Sequence, residues 1–182
     1  MRRLLLFALL IALVLSAAAN GAAVDPATLV LRQSDVPATY RLNDRESGAR
    51  TIAQDSADYP GLKAKYRSWG HLAGYQIRFD RGDDSIVSRA DVFRGRAGSR
   101  QMLAWYVAQA QSQKTPIRLR LATLALGDEA VTLSFGGGGL HFALAVWRYG
   151  RTVSIVGGAG LARARVLALA RTQQRRVAAA LR

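Results

Sequence analysis

Residues 75–93 read YQIRFDRGDDSIVSRADVF, and this stretch decides the fold class of the chain. Apolar and polar side chains alternate from Tyr75 to Phe79, which is the period of a strand with one buried face. The turn sequence RGDD then separates this run from a second strand-like run at 86–93. Residues 73–94 are therefore predicted to form a β-hairpin, the basic unit of an antiparallel sheet.

The sequence after the hairpin predicts one helix and then a second group of strands. Residues 99–113 carry apolar side chains at helical spacing. Alternation at 117–121 predicts an edge strand, and 131–135 predicts a further strand. Residues 141–149 are apolar on both faces, which is typical of a central strand. Residues 152–156 complete the group.

The C-terminal segment 161–181 is predicted to be the longest helix, with an apolar inner face and arginines on its outer face. The strand residues that we expect to be buried beneath it are Phe142, Leu144 and Val146. Because short turns connect most of the strands, the sequence predicts an α+β fold. We expect an antiparallel sheet of about five strands with helices packed mainly on one face.

The segment before the hairpin gives weaker signals. Asp25 followed by proline predicts the start of a short helix that runs to about Arg32. Residues 43–56 are polar and show no period, so they are predicted to form a mobile loop. Residues 60–69 predict another short helix.

The first 23 residues have the three parts of a secretory signal peptide in order. Arg2 and Arg3 give a positive start, residues 4–15 are an unbroken apolar run, and residues 16–23 are mostly small. As a helix the apolar run would rise only about 18 Å, whereas a hydrocarbon core is about 30 Å thick. We therefore predict a cleaved signal, the alternative being an uncleaved membrane anchor.

Cleavage is predicted after Ala23, with Ala19 and Gly21 as alternative positions. Residues 24–182 would then form a single secreted, extracytoplasmic domain with no further membrane-spanning segment. The chain contains no cysteine, so we expect neither disulfides nor a lipid anchor.

The chain is strongly basic, with a formal net charge of +14, and no acidic residue follows Glu129. Arginine greatly outnumbers lysine, which suits phosphate or carboxylate recognition but is also common in proteins from GC-rich bacterial genomes. A protein this basic is attracted to anionic polymers, anionic lipids and, at low salt, nucleic acid. We expect an anionic envelope polymer or an envelope protein as partner, and we do not expect nucleic acid as the physiological ligand.

A glycine-rich segment precedes the last predicted helix. Backbone amides at a helix N-terminus attract anions, and glycine lets a ligand approach the backbone closely. The alternative is a flexible turn between strand and helix. The candidate anion-binding residues, including the arginines of the helix, are Gly157, Gly158, Gly160, Arg163, Arg165, Arg171, Arg175 and Arg182.

Catalytic and metal-binding patterns are not found. There is no Gly-x-Ser-x-Gly motif, and His71 and His141 have no metal-ligand spacing. We therefore expect no metal, no cofactor and no enzymatic activity. Trp69, Trp105 and Trp147 could stack on sugars, but core packing is the favoured interpretation of each.

Four motifs together resemble a known family: GHLAGYQIRF at 70–79, SRADVF at 88–93, LGDEA at 126–130 and WRYGRTV at 147–153. They are similar to motifs of secreted actinobacterial α+β domains with a PsbP-like fold. The resemblance covers residues 28–181 and implies a small extracytoplasmic domain of unknown function. It implies no catalytic residue. Many relatives look like lipoproteins, from which this chain differs by lacking the anchoring cysteine.

We therefore expect a secreted, non-catalytic accessory or binding domain of the cell envelope. Its ligand would be an anionic polymer, an envelope protein, or a small apolar molecule between sheet and helices. The alternative is a secreted hydrolase with an unrecognised active site. An enzyme should show a cleft with convergent polar groups and perturbed carboxylates, whereas a binding module should show a basic or apolar face without them.

Overall fold

Eight strands form one antiparallel sheet in the computed structural model, which describes residues 24–59, 61–112, 118–137 and 140–182. The strands are β1 (Arg41–Leu42), β2 (Gly48–Arg50), β3 (His71–Arg81), β4 (Asp84–Phe93), β5 (Arg118–Thr123), β6 (Glu129–Gly137), β7 (Leu140–Tyr149) and β8 (Thr152–Ala159). Their order in the sheet is β1-β3-β4-β8-β7-β6-β5, and β2 also pairs with β3. The predicted signal peptide, residues 1–23, lies outside the described residues.

Four α-helices complete the described part of the chain. They are α1 (Ile52–Asp58), α2 (Leu62–Trp69), α3 (Arg96–Ser112) and α4 (Arg163–Ala180). The α+β class predicted from the sequence is confirmed, but the expected number of about five strands is too low. The difference comes largely from β1 and β2, which contain 2 and 3 residues and are too short to show a period in the sequence.

Three of the four α-helices, α1, α2 and α3, lie on one face of the sheet, and α4 covers the other. Trp147 of β7 packs in the same buried cluster as Leu169 of α4. Its neighbour Val146 points to the opposite face, where it packs with Leu103 of α3 and Tyr66 of α2. Because helices pack on both faces of the sheet, β7 is buried on both sides, and this explains why its side chains are apolar on both faces.

The prediction that Phe142, Leu144 and Val146 lie beneath the C-terminal helix was therefore wrong by one residue. Val146 is fully buried, but under α3, and Leu144 is only partly buried on that same face. Phe142 keeps 37% of its surface exposed. The residues of β7 that pack with α4 are the alternate ones, Ala143, Ala145 and Trp147.

The predicted hairpin at 73–94 is confirmed as β3 and β4, with Arg81 pairing with Asp84 across the turn. The helices predicted at 60–69, 99–113 and 161–181 correspond to α2, α3 and α4. β5 is an edge strand as predicted, since within the described part of the chain it pairs with β6 alone.

Two N-terminal predictions differ from the structure. Asp25 caps a helix as expected, but it is a single 3-10 turn at Pro26–Thr28 and does not continue to Arg32. The chain leaves the turn because Leu31 is drawn into the core, where its amide donates to the hydroxyl of Ser88 at 2.9 Å.

The segment 43–56, expected as a loop, consists mostly of regular structure. It forms a 3-10 turn at Asp44–Glu46, strand β2 and the first residues of α1. Thr51 and Gln54 form a capping box at the start of α1. β2 is held by its pairing with β3, and the capping box fixes the start of α1. Neither interaction is visible in the hydrophobic period of this segment.

Candidate functional site

The glycine segment predicted to bind anions is part of the sheet. Gly157 and Gly158 lie within β8, which extends to Ala159. A Cβ atom on Gly158 would collide with the carbonyl group of Ser85, and one on Gly157 with the carbonyl of Ala143. These glycines are therefore explained by close packing of neighbouring strands and not by ligand approach.

The remaining residues of that prediction do not converge on one site. Gly160 has a φ of +69°, and a Cβ there would collide with the carboxylate of Asp84, an acidic group unfavourable to an anion. Arg163 and Arg165 are exposed at the start of α4. Arg171, Arg175 and Arg182 are also exposed, the last of them beyond the end of the helix. At 1.5 Å per residue, Arg163 and Arg175 are about 18 Å apart along the axis.

A buried ion-pair network on the opposite face of the sheet was not predicted. Arg89 of β4 is at its centre, with only 8% of its side chain exposed. Its Nε and Nη2 atoms donate to both oxygens of Asp91, at 2.7 and 2.8 Å. Its Nη1 and Nη2 atoms donate to both oxygens of Asp55 in α1, at 2.9 and 2.5 Å. Two bidentate pairs thus fix one guanidinium group.

Two further side chains complete the environment of Asp55. Arg50 of β2 donates to Asp55 Oδ1 from Nε and Nη2, at 3.1 and 2.9 Å. The Tyr66 hydroxyl of α2 donates to Asp55 Oδ2 at 3.1 Å and accepts from Arg89 at 3.0 Å. We call Arg50, Asp55, Arg89, Asp91 and His71 the ion-pair network. It ties α1 and β2 to the centre of the sheet.

His71 enters the network because of a bulge in β3. The pairing of β3 with β4 shifts by one residue between His71 and Ala73, and this turns His71 to the face that carries Asp91. His71 Nε2 donates to Asp91 Oδ1 at 3.0 Å. Gly74 provides the space, because a Cβ at this position would lie 2.5 Å from that same oxygen.

The network holds both of its carboxylates ionised. Burial alone would raise the pKa of Asp91, but the charge of Arg89 and hydrogen bonds from His71 and Arg89 outweigh it, and the pKa is about 2. Burial likewise opposes ionisation of Asp55, yet hydrogen bonding and charge from Arg89 lower its pKa. Burial together with the charge of Asp91 raises the pKa of Tyr66. At neutral pH the two carboxylates are therefore acceptors only.

A cavity of about 250 Å³ opens directly above this network. It lies between the sheet and helices α1, α2 and α3. We call it the aromatic pocket, and its polar and aromatic lining includes Arg50, Asp55, Tyr59, Tyr66, Trp105 and Tyr106. The rings of Tyr59, Trp105 and Tyr106 meet edge to face, with centroids 5.2 Å apart in each neighbouring pair. Such packing keeps the rings in fixed orientations.

The three tryptophans have different environments. Trp147 is fully buried beneath α4, and Trp69 packs at the edge of the cluster formed by α2 and α3. Core packing therefore explains these two. Trp105, like Trp69, is half-buried and packs against that cluster, but it also lines the aromatic pocket.

The pocket has the convergent polar groups and perturbed carboxylates that we expected of an enzyme. The direction of the pKa shifts is opposite to what a general acid needs, since a proton donor at neutral pH requires a raised carboxyl pKa. The described residues contain no group of three or more His, Cys, Asp or Glu that could hold a metal ion. His141, the second histidine, is exposed and far from the network in the sheet order.

The sequence contained part of the signal for this site. Arg89 and Asp91 alternate on one face of a predicted strand whose neighbours are apolar, and charged residues are rarely buried without partners. Both belong to the SRADVF motif, for which the resemblance implied no catalytic residue. Asp55 and Arg50 gave no signal, because they lie in the segment interpreted as a loop.

Acid should unfold the protein through these carboxylates. A carboxyl group whose pKa is lower in the folded protein stabilises it above the unfolded pKa, and this contribution is lost as pH falls through the folded pKa. For Asp91 this loss occurs over the pH interval from 3.8, the ordinary pKa of an aspartate, down to its pKa of about 2 in the folded protein. We expect the urea midpoint to fall steeply from pH 4 to pH 2 in wild type and less steeply in Asp91→Asn. A midpoint independent of pH in this interval would contradict the lowered pKa.

Comparison with known proteins identifies a structural relative. No family model and no curated protein sequence matches the chain. The fold is similar to that of the extracellular domain of PknH from Mycobacterium tuberculosis, with a TM-score of 0.55 and 13% identity over 86% of this chain and 100% of that domain. The chain therefore shares its fold with an extracellular domain of a kinase. The likeness does not extend specifically to the expected PsbP-like fold.

Within the described residues, none of the helices combines the length and the apolar character that crossing a membrane requires.

Proposed function

We propose that the protein is a secreted, extracytoplasmic binding domain of the cell envelope without catalytic activity, and that it binds a small molecule in the aromatic pocket. The observation that carries this proposal is a preformed cavity between sheet and helices, with aromatic walls and a fixed ion-pair network as its floor. Ligand sites are commonly concave, with apolar walls and a few well-placed polar groups. The mixed lining favours an amphipathic ligand over a small apolar molecule, which was one of the three candidates expected from the sequence.

The absence of catalysis is supported by the state of the pocket carboxylate. Both oxygens of Asp55 already accept hydrogen bonds from Arg89, Arg50 or Tyr66. A carboxylate engaged in this way serves neither as base nor as nucleophile without loss of those bonds. The alternative of a secreted hydrolase would need a different site.

The extracytoplasmic location is supported by two independent features. The first 23 residues have the order of parts found in secretory signal peptides. The fold is that of a domain which lies outside the cell in PknH. The full chain has a net charge of +14, which falls to +12 when Arg2 and Arg3 leave with the signal peptide, and charge attraction to envelope polymers would keep so basic a protein near the cell surface.

Filling the cavity should abolish small-molecule binding. Val87 lines the aromatic pocket from β4 and is half-buried, so Val87→Trp places a large side chain in the cavity. Wild-type protein is incubated with a small-molecule extract of bacterial envelopes and analysed by native mass spectrometry. We expect it to retain a bound ligand. Val87→Trp should lower its occupancy at least tenfold. The matched control is Leu72→Trp, at an exposed position outside the pocket, and equal occupancy in all three proteins would contradict the proposal.

The outer face of α4 supports a second proposal, electrostatic association with an anionic envelope polymer. Arg171 and Arg175 are exposed one turn apart, and neither forms an ion pair among the described residues. Replacing Arg171, Arg175 and Arg182 together by Gln should weaken binding to teichoic acid several-fold at low salt with folding intact. Binding that is unchanged in this variant, or insensitive to salt, would show that this face does not carry it.

A further inference from the structure

The chemistry of the aromatic pocket specifies the class of its ligand. We propose that it binds a single sugar ring bearing a carboxylate, with the ring against Trp105 and the carboxylate on Arg50. This inference rests on the proposed small-molecule function and goes further by naming the ligand class.

The unused polar groups of the pocket are mostly donors. Arg50 engages Asp55 through Nε and Nη2, which leaves Nη1 without a partner among the described residues. Trp105 Nε1 and the hydroxyl groups of Tyr59 and Tyr106 are likewise without a hydrogen-bond partner in that part of the chain. A site with surplus donors is complementary to a ligand rich in oxygen acceptors.

The groups still available in the lining favour an anion over a cation. Arg50, Arg89 and Asp55 line the pocket, and the charge of Arg89 is already balanced by Asp91, to which it donates two hydrogen bonds. Both oxygens of Asp55 are occupied by protein donors, so it has little capacity left for a ligand ammonium group. Arg50 is the accessible cation, with 24% of its side chain exposed. A guanidinium group pairs well with a carboxylate.

The aromatic walls suit the C–H face of a sugar. Trp105 is half-buried and Tyr59 is 43% exposed, so both present ring surface to the cavity mouth. Sugar rings carry C–H groups on one face and hydroxyl groups at the edge. The C–H face can pack on the aromatic rings of the pocket, while the hydroxyl groups meet the tyrosine hydroxyls and the arginine. Side chains that are amphipathic in this way favour ligands with one apolar and one polar side.

The volume limits the ligand to about one ring. The cavity of about 250 Å³ is smaller than the roughly 300–1,000 Å³ common for drug-sized ligands. A polymer could enter only through a terminal residue. The size thus separates this site from the extended polyanion surface on α4.

Calorimetric titration of the purified protein tests the inference with matched sugars. The acidic ligands are glucuronic acid and N-acetylmuramic acid, the neutral counterparts are glucose and N-acetylglucosamine, and benzoate is the sugar-free carboxylate. We expect at least one acidic sugar to bind at least ten times more tightly than its neutral counterpart. Neutral sugars that bind as tightly, benzoate that binds more tightly, or the absence of any sugar binding would each overturn the inference.

Variants separate the two contacts. Arg50→Gln should reduce acidic-sugar affinity about tenfold, to the level of the neutral sugar, while Asp55 remains paired with Arg89. Trp105→Ala should weaken acidic and neutral sugars alike. The control Arg41→Gln removes an exposed arginine of β1 outside the pocket and should leave affinity unchanged. If Arg50→Gln does not fold, Arg50→Lys provides the test, with an intermediate loss expected.

Failure of this inference is distinguishable from failure of the proposed function. An envelope ligand of other chemistry that Val87→Trp excludes would leave the small-molecule function standing and overturn the acidic-sugar assignment. Equal occupancy of wild type and Val87→Trp would overturn both.

Discussion

Asp91→Asn is expected to lower the free energy of unfolding by about 3–5 kcal/mol, because Arg50 and Arg89 would then share Asp55 alone and one positive charge of the buried network would be left uncompensated. Asp91 is fully buried and accepts two hydrogen bonds from Arg89 and one from His71. The asparagine amide keeps the shape of the side chain but not its charge, and its NH₂ group faces a donor. Urea denaturation at pH 7 measures the loss.

The matched control is Asp80→Asn, which removes a carboxylate from the same hairpin. Asp80 pairs with Arg78 at 2.8 Å, and both side chains are roughly one-third exposed. Pairs this accessible to solvent contribute less than about 1 kcal/mol. An asparagine oxygen can still accept the hydrogen bond that Asn43 donates to Asp80 at 2.6 Å, so the control should lose much less stability than Asp91→Asn. Similar losses in the two variants would contradict the central position of the ion-pair network.

Trp147→Ala is expected to destabilise the protein by about 3–5 kcal/mol, the cost of removing a large aromatic side chain from a packed core. Trp147 has no exposed surface and packs between the sheet and α4. Its Nε1 atom donates to Gln174 Oε1 of α4 at 2.6 Å, so the substitution removes a hydrogen bond as well as apolar contact. Thermal and urea unfolding should both shift.

Trp105→Ala provides the contrast, because Trp105 is half-buried at the aromatic pocket. Partial burial limits the loss to less than about 2 kcal/mol. We expect this variant to remain folded and to lose ligand affinity, whereas Trp147→Ala loses stability. A larger loss of stability in Trp105→Ala than in Trp147→Ala would contradict the stated burial of these two side chains.

Much of the sheet was predictable because its strands are long enough to show a period. The hairpin of β3 and β4, the two-sided strand β7 and the amphipathic helix α4 follow from the spacing of apolar residues. β8 was predicted too short because Gly157 and Gly158 resemble a turn. Glycine is required there by the close approach of neighbouring backbones, which no local pattern shows.

The candidate site was less predictable because its members are distant in sequence. Asp55 and Arg89 are 34 residues apart and meet only when α1 docks on the sheet. His71 faces Asp91 because of a bulge at a position where simple alternation predicts the other face. The predicted anion residues were neighbours in sequence, and the fold separates them into the interior of β8 and the surface of α4.

The α+β class, the antiparallel hairpin, the amphipathic helices and the basic character of the chain follow directly from the amino-acid sequence. These properties depend on local period, turn residues and charge, which are present before any long-range contact forms. The face that each helix covers, the tryptophan that lines the aromatic pocket and the charges that are buried together become visible only in the folded protein. Burial and charge pairing depend on the distances between segments, and those distances exist only after the chain has folded.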